Sequence, residues 1–257
     1  MATGSSLGLW PVLRDLQGCR WIDLTHAFDR NIPHCSSFDP EERITLYHYD
    51  EGIGLKGHGF LAHEYRHTGQ WGTHVDPPAH FIRGLRHLDE LPVEEMILPL
   101  VVIDITRRVA EDPDYCVSLD DVHAWEGRNG PVPQGAFVAK RTGWSRRWPD
   151  AMAMKNFDTE GVSHFPGWSL EVLQYLAERR NVSAIGHETT DTDPGVVVSR
   201  REAPLEAYWL ARDKWQIELL AELSELPEAG AIVIASWPKP RKGSGFPARV
   251  FAIAPVQ

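Results

Sequence analysis

Short strand-like and helix-like segments follow one another along the whole 257-residue chain, and this mixture sets the fold class. Apolar, β-branched runs at residues 100–105 and 231–235 are typical of buried strands. Helices are predicted at residues 118–125 and 169–179, because each begins with a capping serine followed by acidic residues in its first turn. We therefore predict an α/β fold, bordering on α+β, in which strands and helices share one core.

The remaining predicted elements fill the chain between these segments. Further strands are expected at residues 21–24, 44–49, 59–65, 135–140 and 182–185, and further helices before Gly18 and at residues 206–214. No internal repeat, low-complexity tract or Ser/Gly linker divides the chain. We therefore expect residues 1–257 to form a single domain, which is long enough to bury a substantial core.

Charge and hydropathy narrow the classes of partner. The formal net charge of −10 disfavours nucleic acid, because binding to phosphates needs a basic face. No stretch approaches the ~20 apolar residues that cross a bilayer, and the first ten residues lack the basic and apolar regions of a signal peptide. We expect a cytoplasmic protein with no membrane partner. The three widely separated cysteines do not form a disulfide framework.

Histidine and tryptophan are unusually frequent. The chain has 12 His and 10 Trp, and Trp is costly to place without a core, an interface or a pocket to fill. Six of the histidines fall within one short stretch: His58, His63, His67, His74, His80 and His87. Such crowding is not what a structural core requires, so it indicates a functional site.

Residues 70–80, Gln-Trp-Gly-Thr-His-Val-Asp-Pro-Pro-Ala-His, contain the residue types of a metal site. In an extended chain alternate side chains share a face, so Gln70, His74 and Asp76 would together face one cation, with room left by Gly72. A bound divalent ion lowers the pKa of water and yields hydroxide near neutral pH. His80 follows on a turned segment and is suited to move the proton. The segment therefore predicts a metal-dependent hydrolase.

Two alternatives remain open for this segment. His74 and His80 could be hydrogen-bonded core residues, with Asp76 a turn former. Against this, a buried Asp needs a partner, and the segment offers no Lys or Arg. His67, just upstream, is an alternative ligand, with a supporting role or a surface loop as the competing explanation.

The same segment resembles a known family. Residues 72–80 are similar to the HxGTHxDxPxH signature of the cyclase or kynurenine-formamidase-like hydrolases, which include isatin hydrolases and trans-dienelactone hydrolases. The resemblance extends over nearly the whole chain and in the same order. It includes Ile-Asp-Leu-Thr at 22–25, Arg-Thr-Gly-Trp at 141–144, Phe-Pro-Gly-Trp-Ser-Leu at 165–170 and Gly-Phe-Pro-Ala-Arg at 245–249.

The resemblance implies a swivelling β/β/α fold with a mixed sheet or barrel-like core and flanking helices. It also implies a homodimer or homotetramer that binds Mn²⁺ or Zn²⁺. In the family pattern, the second His and the Asp of the signature bind metal, and these match His74 and Asp76. The final His, which matches His80, is the general acid and base, and a late metal-binding Glu matches Glu218.

Two positions depart from the family pattern. Gln70 stands where the first His is usual, and Glu206 stands where a late His is usual, although some relatives of trans-dienelactone hydrolase carry Gln at the first position. Both residues keep the capacity to bind metal. An oxygen-rich ligand set shifts preference mildly from Zn²⁺ toward Mn²⁺. One ion and two ions both remain open.

Candidate substrate contacts follow from the same picture. Trp71 and Phe38 are predicted to line an aromatic pocket, and Arg141 to hold a carboxylate, with core packing and a structural ion pair as the alternatives. The acidic residues at 188, 191 and 193 either orient ligands or form a turn. An apolar pocket suits an aromatic or cyclic substrate. We predict hydrolysis of a lactone, lactam or N-formyl amide; the alternative is a non-catalytic metal- or ligand-binding relative.

Overall fold

The computed structural model describes residues 8–51 and 59–256, so His58 and the first seven residues lie outside it. In chain order the strands are β1 (Arg20–Asp23), β2 (Glu42–Tyr47), β3 (Ala62–Arg66), β4 (His74–Asp76), β5 (Ile97–Asp104), β6 (Phe137–Arg141), β7 (Ala184–His187), β8 (Trp215–Glu218), β9 (Ala231–Ser236), β10 (Phe246–Pro247) and β11 (Arg249–Ala254). The helices are α1 (Leu9–Gln17), α2 (Thr106–Glu111), α3 (Leu119–Asn129), α4 (Ala151–Lys155), α5 (Leu170–Gln174), α6 (Gly195–Val198) and α7 (Pro204–Leu210). Within the described ranges, none of these helices is long and apolar enough to cross a membrane.

Nine of the strands form one mixed sheet in the order β1-β11-β9-β5-β6-β7-β8-β4-β10. Strands β5 to β8 run parallel to one another at its centre, and the outer pairs are antiparallel. The parallel strands read as continuous apolar runs because both of their faces are covered. This mixed sheet with flanking helices confirms the predicted α/β class.

Each face of the sheet has its own hydrophobic core. Side chains alternate along each strand, so Val102 and Ile217 point to one face, where they pack with the antiparallel strands. Val101, Ile103 and Ile185 point to the other face, where they pack against α3, α5 and α7. We call this second face the helix-covered face.

The predicted helices are found with small shifts at their ends. Ser118 caps α3 as expected, since its hydroxyl accepts from the backbone N–H of Asp121, whose carboxylate accepts from the N–H of Ser118. The helix predicted at 169–179 is α5 extended by a π-helical segment, Tyr175–Arg179. The helix predicted at 206–214 instead begins at Pro204 and ends at Leu210. Proline at the first helical position is favourable, because its missing N–H would have no partner there.

Strands β2 and β3 pair with each other in a separate two-stranded sheet. We call this unit the hairpin. All six residues of β2 are exposed, including Ile44 and Leu46. No residue of β2 or β3 is buried, so these two strands form no hydrophobic core of their own. An isolated two-stranded unit of this kind is only marginally stable in water.

Candidate metal centre

The candidate metal centre is set by the pairing of β4 with β8. Their antiparallel register places His74 opposite Glu218 and Asp76 opposite Gln216. Because Val75 points into the core on the other face, these four polar side chains point to the helix-covered face. All four are buried, and the most exposed of them, Glu218, is only 5% accessible.

His74, Asp76 and Glu218 converge on one point. Each offers one ligand atom, and the three atoms lie within 4.8 Å of one another. His74 Nε2 is 3.4 Å from Asp76 Oδ2 and 3.6 Å from Glu218 Oε2. Ligands bound at about 2.1 Å to one ion and at the tetrahedral angle to each other are roughly 3.4 Å apart. The spacing therefore suits a shared cation better than direct hydrogen bonds.

The protonation of the His74 ring is fixed by its neighbour. His74 Nδ1 lies 2.7 Å from the carbonyl oxygen of Gly72. A carbonyl only accepts, so Nδ1 carries the hydrogen and the lone pair of the neutral ring is on Nε2. That lone pair faces the two carboxylates, and this is the tautomer that a metal-binding imidazole needs.

Gln216 and Glu206 complete the cluster. Glu206 projects from the first turn of α7. Gln216 Nε2 lies 3.0 Å from Glu206 Oε1, 3.1 Å from Glu218 Oε1 and 3.3 Å from Asp76 Oδ2. One amide nitrogen thus stands among three carboxylates, where a cation would also be stabilised. Gln216 was missed in the sequence, although the alternation Trp-Gln-Ile-Glu at 215–218 is typical of a strand that presents Gln and Glu on one face.

The cluster carries negative charge that the protein does not balance. Burial and the neighbouring carboxylates raise the pKa of Glu206 and of Glu218 well above the usual value. Burial also acts to raise the pKa of Asp76, but His74, His80 and the amide of Gln70 outweigh it, so the net shift is downward. Among the described residues, no Lys or Arg forms an ion pair with these three carboxylates. The donor set therefore fits a divalent cation, which would supply the missing positive charge.

His80 lies beside this cluster on a 3-10 turn, Pro78–His80. Its Nε2 is 3.9 Å from Asp76 Oδ1 and 4.0 Å from Glu206 Oε1. A quarter of its side chain is exposed, in contrast to the buried ligands. The ring therefore reaches both the cluster and solvent, as a residue that exchanges protons with water should.

The prediction of an extended strand through residues 70–76 is wrong on the N-terminal side of His74. Gly72 has a φ of +62°, a left-handed conformation that interrupts the alternation and that glycine adopts readily. Gln70 nevertheless reaches the cluster through this turn. Its Nε2 donates to Asp76 Oδ1 at 3.1 Å and to the carbonyl of Ser244 at 2.8 Å. A role for Gln70 as a metal ligand stays a prediction.

The three predicted substrate contacts lie in different places. Arg141 pairs with Asp104 at 2.9 Å and donates to two backbone carbonyls. These contacts are those of a structural ion pair, and a substrate contact at Arg141 stays a prediction. Trp71 is fully buried, with its ring 4.7 Å from that of His34. Phe38 is half-buried at the edge of an open cavity of about 600 Å³.

The acidic residues after β7 have distinct partners. The Glu188 carboxylate accepts from the backbone N–H groups of Thr142 and Gly143 and from the hydroxyl of Ser145. It therefore holds that turn. The Asp193 carboxylate accepts from the N–H groups that open α7, including that of Glu206, at 3.1 Å. Asp193 thus orients Glu206, in line with the orienting alternative. The His67 ring contacts the carbonyl of Thr68 through Nδ1 and is not part of the ligand cluster.

Comparison with known proteins places this site in context. The profile of the Cyclase family, described as "Putative cyclase", matches residues 22–194. An isatin hydrolase from Roseibium aggregatum is 36% identical over 190 residues, which are 72% of this chain and 71% of that protein.

Solved structures agree over the full length. Isatin hydrolase A from Ralstonia solanacearum superposes on this chain with a TM-score of 0.87 and is 31% identical in sequence. The match covers 98% of this chain and 100% of the chain of that protein. An isatin hydrolase bound to the product analogue thioisatinate has a TM-score of 0.87 at 27% identity, with full coverage of both chains. The predicted fold of the family is therefore confirmed.

Proposed function

The chain belongs to the Cyclase family and is a metal-dependent hydrolase, and on this basis we propose that it opens a cyclic aryl amide such as isatin. The observation that carries the proposal is 36% identity to an isatin hydrolase over 190 residues, a stretch long enough to span most of the fold. The isatin hydrolase bound to the product analogue thioisatinate supports the same substrate class.

We propose that His74, Asp76 and Glu218 bind one divalent ion, with Gln70 and Glu206 as further candidate ligands. When bound, such an ion polarises the substrate carbonyl and provides hydroxide at neutral pH. The predominance of carboxylate over imidazole donors in the cluster favours Mn²⁺ over Zn²⁺. The contact of His74 Nδ1 with the carbonyl of Gly72 leaves Nε2 to face the cluster, which supports the role of His74 as the nitrogen ligand.

His80 is the proposed proton carrier. In the reaction a C–O bond forms from water to the amide carbon, the C–N bond of the ring breaks, and the products are a carboxylate, an arylamine and one proton. His80 takes one proton of the attacking water and returns it to the departing nitrogen, and the other proton passes to solvent when the new carboxylic acid ionises. Its position within 4.0 Å of Asp76 and Glu206, together with its partial exposure, supports this role.

A substrate panel tests the proposal. Purified protein would be loaded with Mn²⁺ or Zn²⁺ and assayed by absorbance with isatin, N-formylkynurenine and a dienelactone, with Glu218→Gln as the control. We expect isatin to be opened and the control to be inactive. Turnover of another substrate alone would reassign the substrate class. A protein that binds Mn²⁺ and leaves the whole panel intact would support a non-catalytic relative instead.

A further inference from the structure

A buried histidine lies behind Glu218, on the side away from His74. The register of β7 against β8 pairs Gly186 with Ile217, so the next residue, His187, stands beside Glu218 on the helix-covered face. His187 is fully buried, and its Nε2 is 3.4 Å from Glu218 Oε1. It is one of the functional residues that the sequence analysis did not single out.

The other ring nitrogen of His187 is held by Trp168. The indole Nε1–H of Trp168 donates to His187 Nδ1 at 3.3 Å, and both side chains are fully buried. An indole nitrogen only donates, so His187 Nδ1 must be the acceptor. The ring hydrogen of the neutral imidazole is then on Nε2, on the side of Glu218.

Trp168 is itself fixed in place. Its backbone N–H donates to the carbonyl of Thr192 at 3.0 Å, and the ammonium of Lys140 lies 5.6 Å from its ring centre. The indole therefore has little freedom to turn away from His187. Its donor fixes the tautomer of that ring.

The Nε2–H of His187 faces Glu218. In the described part of the chain this atom is buried and makes no aligned hydrogen bond, and Glu218 Oε1 is the carboxylate oxygen nearest to it, at 3.4 Å. Because an unpaired buried N–H is costly, a hydrogen bond to this oxygen would be favourable.

We infer that His187 is a positioning residue, whose Nε2–H holds Glu218 Oε1 so that Oε2 stays turned toward His74. Gln216 Nε2 contacts the same Oε1 at 3.1 Å, whereas Oε2 is 3.6 Å from His74 Nε2. One oxygen of Glu218 is thus held by two donors, and the other is left for the cation. The inference rests on the proposed metal site, and it adds a chain from Trp168 through His187 to a single ligand atom.

The first experiment measures Mn²⁺ affinity by chelator competition. The variant His187→Phe keeps the size of the ring and removes the N–H, whereas His187→Gln keeps a donor for Glu218 and an acceptor for Trp168. We expect His187→Phe to weaken Mn²⁺ binding by about 10–100-fold, the range typical of residues that support metal ligands, and His187→Gln to restore most of it. Equal affinity in wild type and His187→Phe would overturn the inference.

The second experiment reads the tautomer without metal. In protein labelled with ¹⁵N-histidine, the signals lost in His187→Gln identify His187, and we expect them to show hydrogen on Nε2. Trp168→Phe should change these shifts and weaken Mn²⁺ binding. Trp125→Phe should do neither, because Trp125 is also a buried indole but donates to the backbone carbonyl of Glu228 and not to His187. Hydrogen on Nδ1 in the wild type would contradict the inference even if His187→Phe fails to fold.

The two proposals fail in different ways. If wild-type protein binds no Mn²⁺, the proposed metal site is wrong, and so is the role proposed for His187. If wild type binds Mn²⁺ and Glu218→Gln loses it while His187→Phe does not, only the role of His187 is wrong.

Discussion

The side chain of His80 differs from those of His74, Asp76 and Glu218 in being partly open to solvent. We predict that His80→Ala keeps its bound Mn²⁺ and loses turnover by roughly 10²–10⁴-fold, the contribution typical of a general acid and base. Elemental analysis and kcat measured on the same sample check this. Loss of the metal in parallel with turnover would instead identify His80 as a ligand.

Glu206 is a buried carboxylate among other carboxylates. Burial and the nearby Asp76 raise the pKa of Glu206, which means that its negative charge is unfavourable without metal. Replacing Glu206 with Gln removes this charge. We predict that Glu206→Gln raises the melting temperature in EDTA by roughly 2–4 °C, the shift that about 1 kcal/mol produces in a chain of this size. In the same variant Mn²⁺ affinity should fall at least about tenfold.

The exposed residue Glu202, just before α7, provides the control, because Glu202→Gln should change neither quantity. A fall of stability in EDTA for Glu206→Gln would contradict the account of unbalanced charge.

At the scale of elements, strand β4 depends on the turn at Gly72. A Cβ added there would lie 3.1 Å from the Cβ of Phe28, at a φ of +62°. We predict that Gly72→Ala costs more than the ~1–3 kcal/mol of a left-handed non-glycine residue, and that it weakens Mn²⁺ binding because the Gly72 carbonyl holds His74.

Gly84 separates strain from crowding. Its φ is +87° and an added Cβ would meet nothing within 4 Å. Gly84→Ala should therefore lose stability from strain alone and keep its metal. Urea denaturation measures the stability of both variants, and Mn²⁺ titration measures their affinity for the metal. Equal losses of stability and equal affinities in the two variants would show that the contact with Phe28 is unimportant.

A partly buried ion pair, between Glu126 and Arg180, joins α3 to the segment after α5. Burial acts to raise the pKa of Glu126, but hydrogen bonds from Arg180, the N–H of Val132 and Tyr175 outweigh it and lower the pKa from 4.5 to about 2. A carboxylate whose pKa is lower in the folded than in the unfolded chain stabilises the fold at pH values above the unfolded pKa. This contribution disappears as pH falls from 4.5 toward 2.

We predict that Glu126→Gln lowers the free energy of unfolding by roughly 2–3 kcal/mol at pH 7 and that the deficit shrinks by pH 3. Chemical denaturation at both values measures it. Glu111→Gln, which breaks an exposed pair with Arg107, should cost less than about 0.5 kcal/mol at either pH. A deficit independent of pH would show that packing, not charge, is responsible.

The elements differ in how well the sequence predicted them. The strands at 100–105 and 231–235 were predictable because their apolar runs are local, and Ser118 marks the start of α3 by its own hydrogen bond. The turn at Gly72 was not, because glycine adopts extended and left-handed backbone with similar ease, so its φ of +62° does not follow from the local pattern. In the centre, His74 and Asp76 follow from strand alternation. Gln216 and His187 join them only because β8 pairs with β4 and β7 pairs with β8. No local sequence pattern specifies these strand pairings.

At the scale of the whole molecule, the hairpin exposes apolar side chains on both of its faces. Ile44 and Leu46 lie on one face of β2 and are 49% and 48% exposed, whereas Tyr65, which pairs with Arg43, lies on the other face and is 52% exposed. Large apolar patches on a protein surface mark interfaces. We propose that a second copy of the chain covers the face of Ile44 and Leu46, in line with the homodimer or homotetramer that the family resemblance implies.

The double variant Ile44→Glu/Leu46→Glu should reduce the mass measured by light scattering to that of one 29.0 kDa chain. Val93→Glu is the matched control, since Val93 is also exposed but lies on a 3-10 turn outside the hairpin. A wild-type protein that is already monomeric would rule out the proposed interface.

Strands β4 and β8 contribute both to the hydrophobic core and to the proposed metal centre. Val75 and Ile217 anchor these strands in the core, while their neighbours His74 and Glu218 face the centre. An open cavity of about 950 Å³ is lined by residues 25–31, 41–44, 65 and 247–249, and by none of the proposed metal ligands. Libraries aimed at new substrates should therefore leave the two strands untouched, because a strand that is needed for both the metal centre and core packing tolerates little change.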